Sequence, residues 1–319
     1  MSTRAKGTPL PARITNRLRL PLIAAPMLRV SGPDLVIAAC RAGVIGAFPT
    51  ANARSVDELD GWLTAIATAL AEEEKPAAPY CPNLIIRQPR FKDDLACLVR
   101  HQVELVITSV GSPQAALGPL HDIGCLVLAD IASLRHAEKA IEAGADGLIL
   151  LTAGAGGQTG WANPFAFVRA VRSMFDGPIV LAGGILDGRA LKAARVLGCD
   201  LAYMGTGFIA TTESMASDAY RNMLVASSLD DVLLTKAFTG LDASMLRPSI
   251  VAAGLDPSRL DEQVSEERAK EKFGGGGNSQ EPRRWSDIWS AGHSVSGITA
   301  ITDVATLVDR LASEFKAAG

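Results

Sequence analysis

The chain carries four histidines in 319 residues, and aromatics are only 5% of it. It lacks any C-x-x-C pair. Cys40, Cys81, Cys97, Cys125 and Cys199 are scattered, which excludes a zinc knuckle and predicts reduced, buried thiols in a cytoplasmic protein. No set of metal ligands is evident, and no metal is expected. A basic excess is also missing, with 31 Lys and Arg against 34 Asp and Glu, so a phosphate-tracking nucleic-acid partner is not expected. Arg41, Asp187 and similar residues break every apolar run short of the roughly 18 residues a membrane span needs. Arg4 to Arg19 form a basic tail before an apolar run that holds Pro21 and Pro26, unlike the core of a signal peptide. There is no G-x-S-x-G elbow, no H-E-x-x-H helix and no G-x-x-x-x-G-K-[ST] loop.

What is present is a globular composition, 48% hydrophobic with a net charge of −3. Short apolar runs recur at Pro21–Ala24, Val44–Ala47, Pro82–Ile86, Leu105–Ser109, Cys125–Asp130, Gly147–Leu151, Ile179–Ala182 and Leu201–Gly205. Helix-like segments lie between them: Pro33–Arg41, Val56–Glu73, Phe91–Val99, Leu134–Glu142, Pro164–Met174 and Arg189–Leu197. Continuously apolar strands suit a parallel sheet covered on both faces, and alternation with helices indicates βαβ units. Gly43, Gly144 and Gly198 each follow a helix, where a left-handed cap favours glycine. Eight units predict an α/β fold, a closed (β/α)8 TIM-type barrel rather than an open sheet. Residues 1–227 and 290–319 would form it. Residues 228–289 are less regular, richer in charge, and hold the tract Gly274–Ser279. They read as a surface insertion with a disordered loop or as a smaller lid on the substrate side. Helical character returns from Thr302 to Ala318.

Two glycine clusters follow the last two strands: Gly183-Gly184 and Gly205-Thr206-Gly207. Loops after strands seven and eight of such a barrel commonly hold phosphate, because bare glycine backbone lets N–H groups approach its oxygens. A third stretch, Gly154 to Gly160, follows the sixth strand but is no G-x-G-x-x-G fingerprint, since its last position is Thr159. Among the histidines, His101 and His121 read as surface residues and His136 as structural. His293 sits among small residues of the kind that line a site.

Several motifs then carry a resemblance: Ala24-Ala25-Pro26-Met27, Pro82-Asn83-Leu84, Ala155 to Gly160, Ala182-Gly183-Gly184-Ile185, Met204-Gly205-Thr206 and Ile288 to Gly292. In order and spacing they resemble the nitronate monooxygenase family, once called 2-nitropropane dioxygenases, over nearly the whole chain. The resemblance implies a TIM-like barrel with a smaller substrate-side domain and non-covalent FMN. It implies oxidation of alkyl nitronates with O2, and members that often form homodimers. Gly183, Gly184, Gly205 and Thr206 would hold the FMN phosphate, and Met204 would also bind the cofactor. Ala25, Pro26 and Met27 would run along the isoalloxazine, and Asn83 would hydrogen-bond it. Gly156 would pack against the flavin, Ser290 would approach it, and Asp130 would point toward the same face.

One position departs from the family pattern. Where Gly-Gly-His or Ala-Gly-His is usual, this chain has Gln158, and an amide cannot take a proton from carbon near neutral pH. A substrate arriving as the nitronate anion does not need that base, and Gln158 would orient it. Alternatively Gln158 marks a different reaction, an NAD(P)H-dependent flavin reductase of quinones or enoyl compounds, with His293 as acid or base. A non-catalytic barrel that binds a flavin or another phosphate ligand is the reading from another class. Trp161, Trp285 and Trp289 would wall the pocket or belong to the core.

Overall fold

The computed structural model describes residues 7, 9–274 and 282–319. The strands are β1 (Leu22–Ala24), β2 (Ile45–Pro49), β3 (Tyr80–Ile85), β4 (Leu105–Ser109), β5 (Leu126–Ile131) and β6 (Gly147–Leu151). After them come β7 (Gly157–Gln158), β8 (Ile179–Ala182), β9 (Leu201–Met204), β10 (Val232–Thr235) and β11 (Ala243–Leu246). Eight of these close a parallel barrel in the order β1-β2-β3-β4-β5-β6-β8-β9, with Ile23 of β1 opposite Tyr203 of β9 at the seam. The expected barrel is therefore the observed fold.

Strand periodicity explains both the apolar runs and the place where they stop. Ile23, Ile45, Cys81, Leu105, Leu128, Ile149, Val180 and Leu201 point into the barrel, and Ile14, from the short helix Ala12–Thr15, joins this cluster from the chain before β1. The intervening residues, Val106, Val127, Leu148 and Ile179 among them, point outward and are buried under the helices. Both faces are dry, so alternation of polarity disappears from the sequence. One period of two beyond the apolar layer, the inward positions turn polar: Cys81 gives way to Asn83, Ile107 to Ser109, Leu128 to Asp130 and Leu201 to Tyr203. That change fixes which end of the barrel is wet.

The helices Leu134–Ala143 and Gly188–Leu197 end at left-handed Gly144 and Gly198. One barrel helix, Gln114–Asp122, escaped sequence reading because it contains Gly118 and Pro119, poor helix formers. Burial of Ala116, Leu117 and Leu120 against the barrel holds it regardless. A second, Asp218–Ala226, starts at the Ser217 cap and buries Tyr220 and Leu224. The last helix, Val304–Ala317, packs on Gly188–Leu197, where the Gly188 N–H donates to Glu314 Oε2 at 2.9 Å. All five cysteines are buried and free. Burial pushes the thiols of Cys40 and Cys199 up to about 12, so neither forms a thiolate at neutral pH. Among the described residues no helix is long and apolar enough to cross a membrane.

Residues 228–274 and 282–289 are more ordered than their sequence indicates. β10 pairs antiparallel with β11, and β11 pairs with β7, so a barrel loop supplies the third strand. Strands this short carry no usable period, and their partner lies some 85 residues away. Phe238, Met245, Ile250, Phe273 and Ile288 form a separate apolar cluster, with Phe238 and Phe273 edge-to-face at 5.0 Å. The expected disorder of the glycine tract falls on residues 275–279, outside the described residues.

At the opposite, N-terminal end of the barrel, Arg172 joins three chain segments. Its guanidinium donates to Gly177 O at 2.7 Å, to Gly198 O at 2.7 Å and to Asp200 Oδ2 at 2.7 Å. Asp200 Oδ2 also accepts the Ile179 N–H at 2.9 Å, which locks the start of β8. Arg172→Ala should lower unfolding free energy by about 2–4 kcal/mol, because it strands half-buried acceptors and a carboxylate. Urea unfolding checks this. A midpoint equal to wild type would mean that the clamp contributes nothing.

Candidate active site

A cavity of about 650 Å³ opens at the C-terminal end of the barrel. Its floor is the polar layer described above: Asn83, Ser109, Asp130 and Tyr203. Asn83 and Ser109 bond reciprocally at 3.2 Å. Asp130 is different. Its Oδ1 is sealed from solvent and has no hydrogen-bond partner among the described residues. Burial, with nothing opposing it, pushes this carboxyl up to about 7. Tyr203 is pushed well above its ordinary value, by burial first and then by the Asp130 charge.

One wall is built from two glycine turns. Gly183 and Gly184 leave β8 with φ of +122° and +72°, a left-handed pair that side chains resist. A Cβ on Gly183 would collide with the Thr152 hydroxyl, whereas one on Gly184 would meet nothing within 4 Å. The second turn is therefore an open cradle of bare backbone. Beside it, Gly205 and Thr206 leave β9. The Thr206 hydroxyl accepts the Gly292 N–H at 3.0 Å, which keeps its own proton free to donate. Bare backbone on adjoining strand ends with a hydroxyl donor suits a phosphate. Met204 precedes this turn and lines the cavity too.

A third wall is the loop after β1, with Ala25, Pro26 and Met27. Ser31 Oγ accepts the Met27 N–H at 3.0 Å and donates to Ala25 O at 3.2 Å. Asn52 Nδ2 donates to Met27 O at 2.9 Å and Ser31 O at 2.8 Å, and Asn52 Oδ1 accepts the Arg29 N–H at 2.9 Å. Asn52 thus holds the loop that sequence reading assigned to the site. Nothing in the sequence signals it, because its partners lie more than 20 residues away.

Opposite stand Gly156, Gln158 and Ser290, all on the same cavity. The loop after β6 crosses the returning C-terminal segment backbone to backbone: a Cβ on Gly156 would stand 2.8 Å from Gly292 N. Gln158 is exposed on β7, whose pairing with Ala243 directs it to the rim. Ser290 is set by Tyr220, missed in the sequence. The Tyr220 hydroxyl donates to Ser290 O and accepts its N–H at 3.3 Å, while the ring stacks on Trp289 at 4.9 Å and 12°. Burial pushes Tyr220 up to about 12, so it keeps its proton.

His293 does not join this group. Its N–H donates to Gly154 O at 2.9 Å and its ring lies against Gly154, but the side chain is exposed and off the cavity. A tight turn, His293–Gly297, begins there; it sends His293 outward and places Ser294 on the cavity instead. Its small neighbours Ala291 and Gly292 line the cavity, and this side chain does not. Trp161 is likewise 80% exposed, whereas Trp285 and Trp289 line the cavity. His101 and His121 pair with Asp60 and Asp146 at 3.0 and 2.9 Å, and His136 is exposed.

Charged residues from both sides complete the mouth: Arg87, and from beyond β11 Glu266, Glu267, Lys270 and Arg284. Arg284 Nη1 donates to Phe238 O at 3.0 Å, and partial burial draws its pKa down. The arrangement can hold a phosphate at one end, a flat polar group over the floor, and a further ligand under a mixed-charge rim.

Comparison with known proteins agrees with this geometry. Nitronate monooxygenase from Paraburkholderia phytofirmans is 29% identical over 278 residues, 74% of this chain and 76% of its own. A (3aS,4S,5R,7aS)-5-hydroxy-7a-methyl-1-oxo-octahydro-1H-indene-4-carboxyl-CoA dehydrogenase from Mycobacterium tuberculosis is 29% identical over 237 residues, 72% of this chain. That match spans 64% of the dehydrogenase's length. The solved structure of FabK from Thermotoga maritima superposes with a TM-score of 0.80 at 26% identity, covering 97% of both chains. The family model for nitronate monooxygenase matches residues 57–314, and the chain belongs to that family of flavin-dependent oxidoreductases.

Proposed function

We propose that this protein binds FMN and oxidises alkyl nitronates with O2. The observation that carries the reading is Gln158 on β7, an uncharged amide at the rim of a cavity whose floor and glycine turns fit a flavin. The fit rests on two features: the open cradle at Gly184 beside the Thr206 hydroxyl, and the sealed, unpartnered Asp130 Oδ1 in the floor. When bound, FMN supplies the redox chemistry, accepting reducing equivalents from substrate and passing them to O2. The chain supplies position. Gly183, Gly184, Gly205 and Thr206 hold the phosphate, with Met204 behind them. Ala25, Pro26 and Met27 run along the ring, Asn83 hydrogen-bonds it, and Gly156 and Ser290 border it. Gln158 donates from its amide to a nitro oxygen of a substrate that is already ionised, so no carbon proton needs removing. Residues 228–289 act as the substrate-side cap, and Trp285 and Trp289 exclude water.

A second reading is favoured by the cationic part of the mouth. Arg87 and Lys270 have no partner among the described residues, and Arg284 uses one nitrogen on Phe238. Such a rim suits a phosphate-bearing ligand, NAD(P)H or a coenzyme A thioester, in an oxidoreductase of enoyl or related compounds. The relative named for a carboxyl-CoA substrate supports it.

Anaerobic mixing separates the two. The FMN-loaded protein should bleach with propyl-2-nitronate and recolour with O2. Bleaching by NADH or NADPH alone supports the second reading, and bleaching by none of these overturns both.

A further inference from the structure

The floor of the cavity holds one carboxyl, to which the reading above gives no chemical task. Asp130 ends β5 and points inward, one strand period beyond Leu128. It makes no hydrogen bond or ion pair among the described residues, and Oδ1 is sealed. Its neighbours offer no charge to balance it. β3 presents Cys81 and Asn83, β4 presents Ser109, β6 presents Leu151 and β9 presents Tyr203. The two titratable ones, Cys81 and Tyr203, are held neutral by burial. The charged residues lining the same cavity, Arg87, Glu266, Glu267, Lys270 and Arg284, form no ion pair with it.

A carboxylate in that position is costly, and covering the cavity makes it costlier, because whatever exposure Asp130 retains faces the cavity. We propose that Asp130 meets the bound flavin as a neutral carboxylic acid, donating a hydrogen bond to it from the floor, so that flavin binding takes up a proton. The inference rests on flavin occupying this cavity, but not on the identity of the substrate. The sign follows from linkage. Before the flavin covers it, the carboxyl has a pKa of about 7. Below that value Asp130 already carries its proton, and affinity is level with pH. Above it, each bound flavin must bring a proton from solution, and the dissociation constant rises by about tenfold per pH unit until the bound-state pKa is reached.

FMN titration by fluorescence quenching between about pH 6 and pH 9 reads this without any turnover. Riboflavin serves as the probe free of phosphate titration. For wild type, both dissociation constants should rise at least tenfold across the range. Asp130→Asn keeps a neutral donor and should bind with a nearly level profile; Asp130→Ala should be level but weaker. A level wild-type profile, or an equal slope in Asp130→Asn, overturns the inference even while FMN binds. Failure to bind FMN or riboflavin at any pH instead overturns the assignment of the cavity to flavin, and this inference with it.

Discussion

Gly183→Ala should cost the protein most of its flavin. The native residue has φ +122°, and an added Cβ would strike the Thr152 hydroxyl, with Ala155 N at 3.2 Å and Ala153 O at 3.3 Å behind it. Thr152 is not free to move. Its hydroxyl donates to Ala182 O at 2.7 Å, and its carbonyl accepts from Thr159 Oγ1 at 2.8 Å. The turn must therefore shift, and both glycine turns with it lose their alignment. Backbone strain of this kind costs about 1–3 kcal/mol, so FMN affinity should fall by roughly ten- to a hundredfold. Gly184→Ala is the informative companion. Its Cβ meets nothing within 4 Å, so the fold is disturbed only through the φ of +72° while the methyl enters the cradle. FMN titration and urea unfolding of both variants separate stability from binding. If both retain wild-type FMN affinity, the turns after β8 do not touch the phosphate.

Gln158→His should extend the reaction to neutral nitroalkanes. An imidazole with an ordinary pKa near 6.5 can accept a carbon-bound proton at about pH 8, which the amide cannot. General-base catalysis is typically worth about a hundredfold or more, so even imperfect alignment should raise nitroalkane turnover at least tenfold. Nitronate turnover should change little, since that substrate needs an orienting hydrogen bond and histidine can still provide one. The site tolerates the change sterically because Gln158 is exposed at the rim, and its strand is held through backbone pairing with Ala243. Steady-state oxygen uptake with 2-nitropropane and with its nitronate measures both. Unchanged rates on the neutral substrate would mean that position 158 does not face the reacting carbon.

These two positions show how far local pattern reaches. Gly183, Gly184, Gly205 and Thr206 are legible because they stand at strand ends, where the chain must turn and where the barrel's wet end must be. Asn83 and Asp130 enter through the family resemblance alone; that they stand one strand period beyond the apolar layer is visible only in the barrel. Asn52 and Tyr220 are not legible. Asn52 works through carbonyls at Met27 and Ser31, and Tyr220 through Ser290, 70 residues on. A hydrogen bond between distant segments leaves no period and no spacing in the sequence. The small sheet after the barrel is partly hidden for a related reason, since it is completed by two residues of a barrel loop.

The scarcity of histidine bears on both levels. By itself the sequence determined that the family's usual histidine is replaced by Gln158, and that His293 was the remaining candidate near the site. It also determined the barrel, because dry strands on a two-faced sheet write their burial directly into composition. Only the tertiary structure decided that His293 turns out to solvent, and that the Asp130 carboxyl stands in the floor without a partner among the described residues. Side-chain direction in an irregular turn depends on what packs beneath it, and a carboxyl's charge depends on whether any partner faces it. Both are properties of the surroundings rather than of the residue.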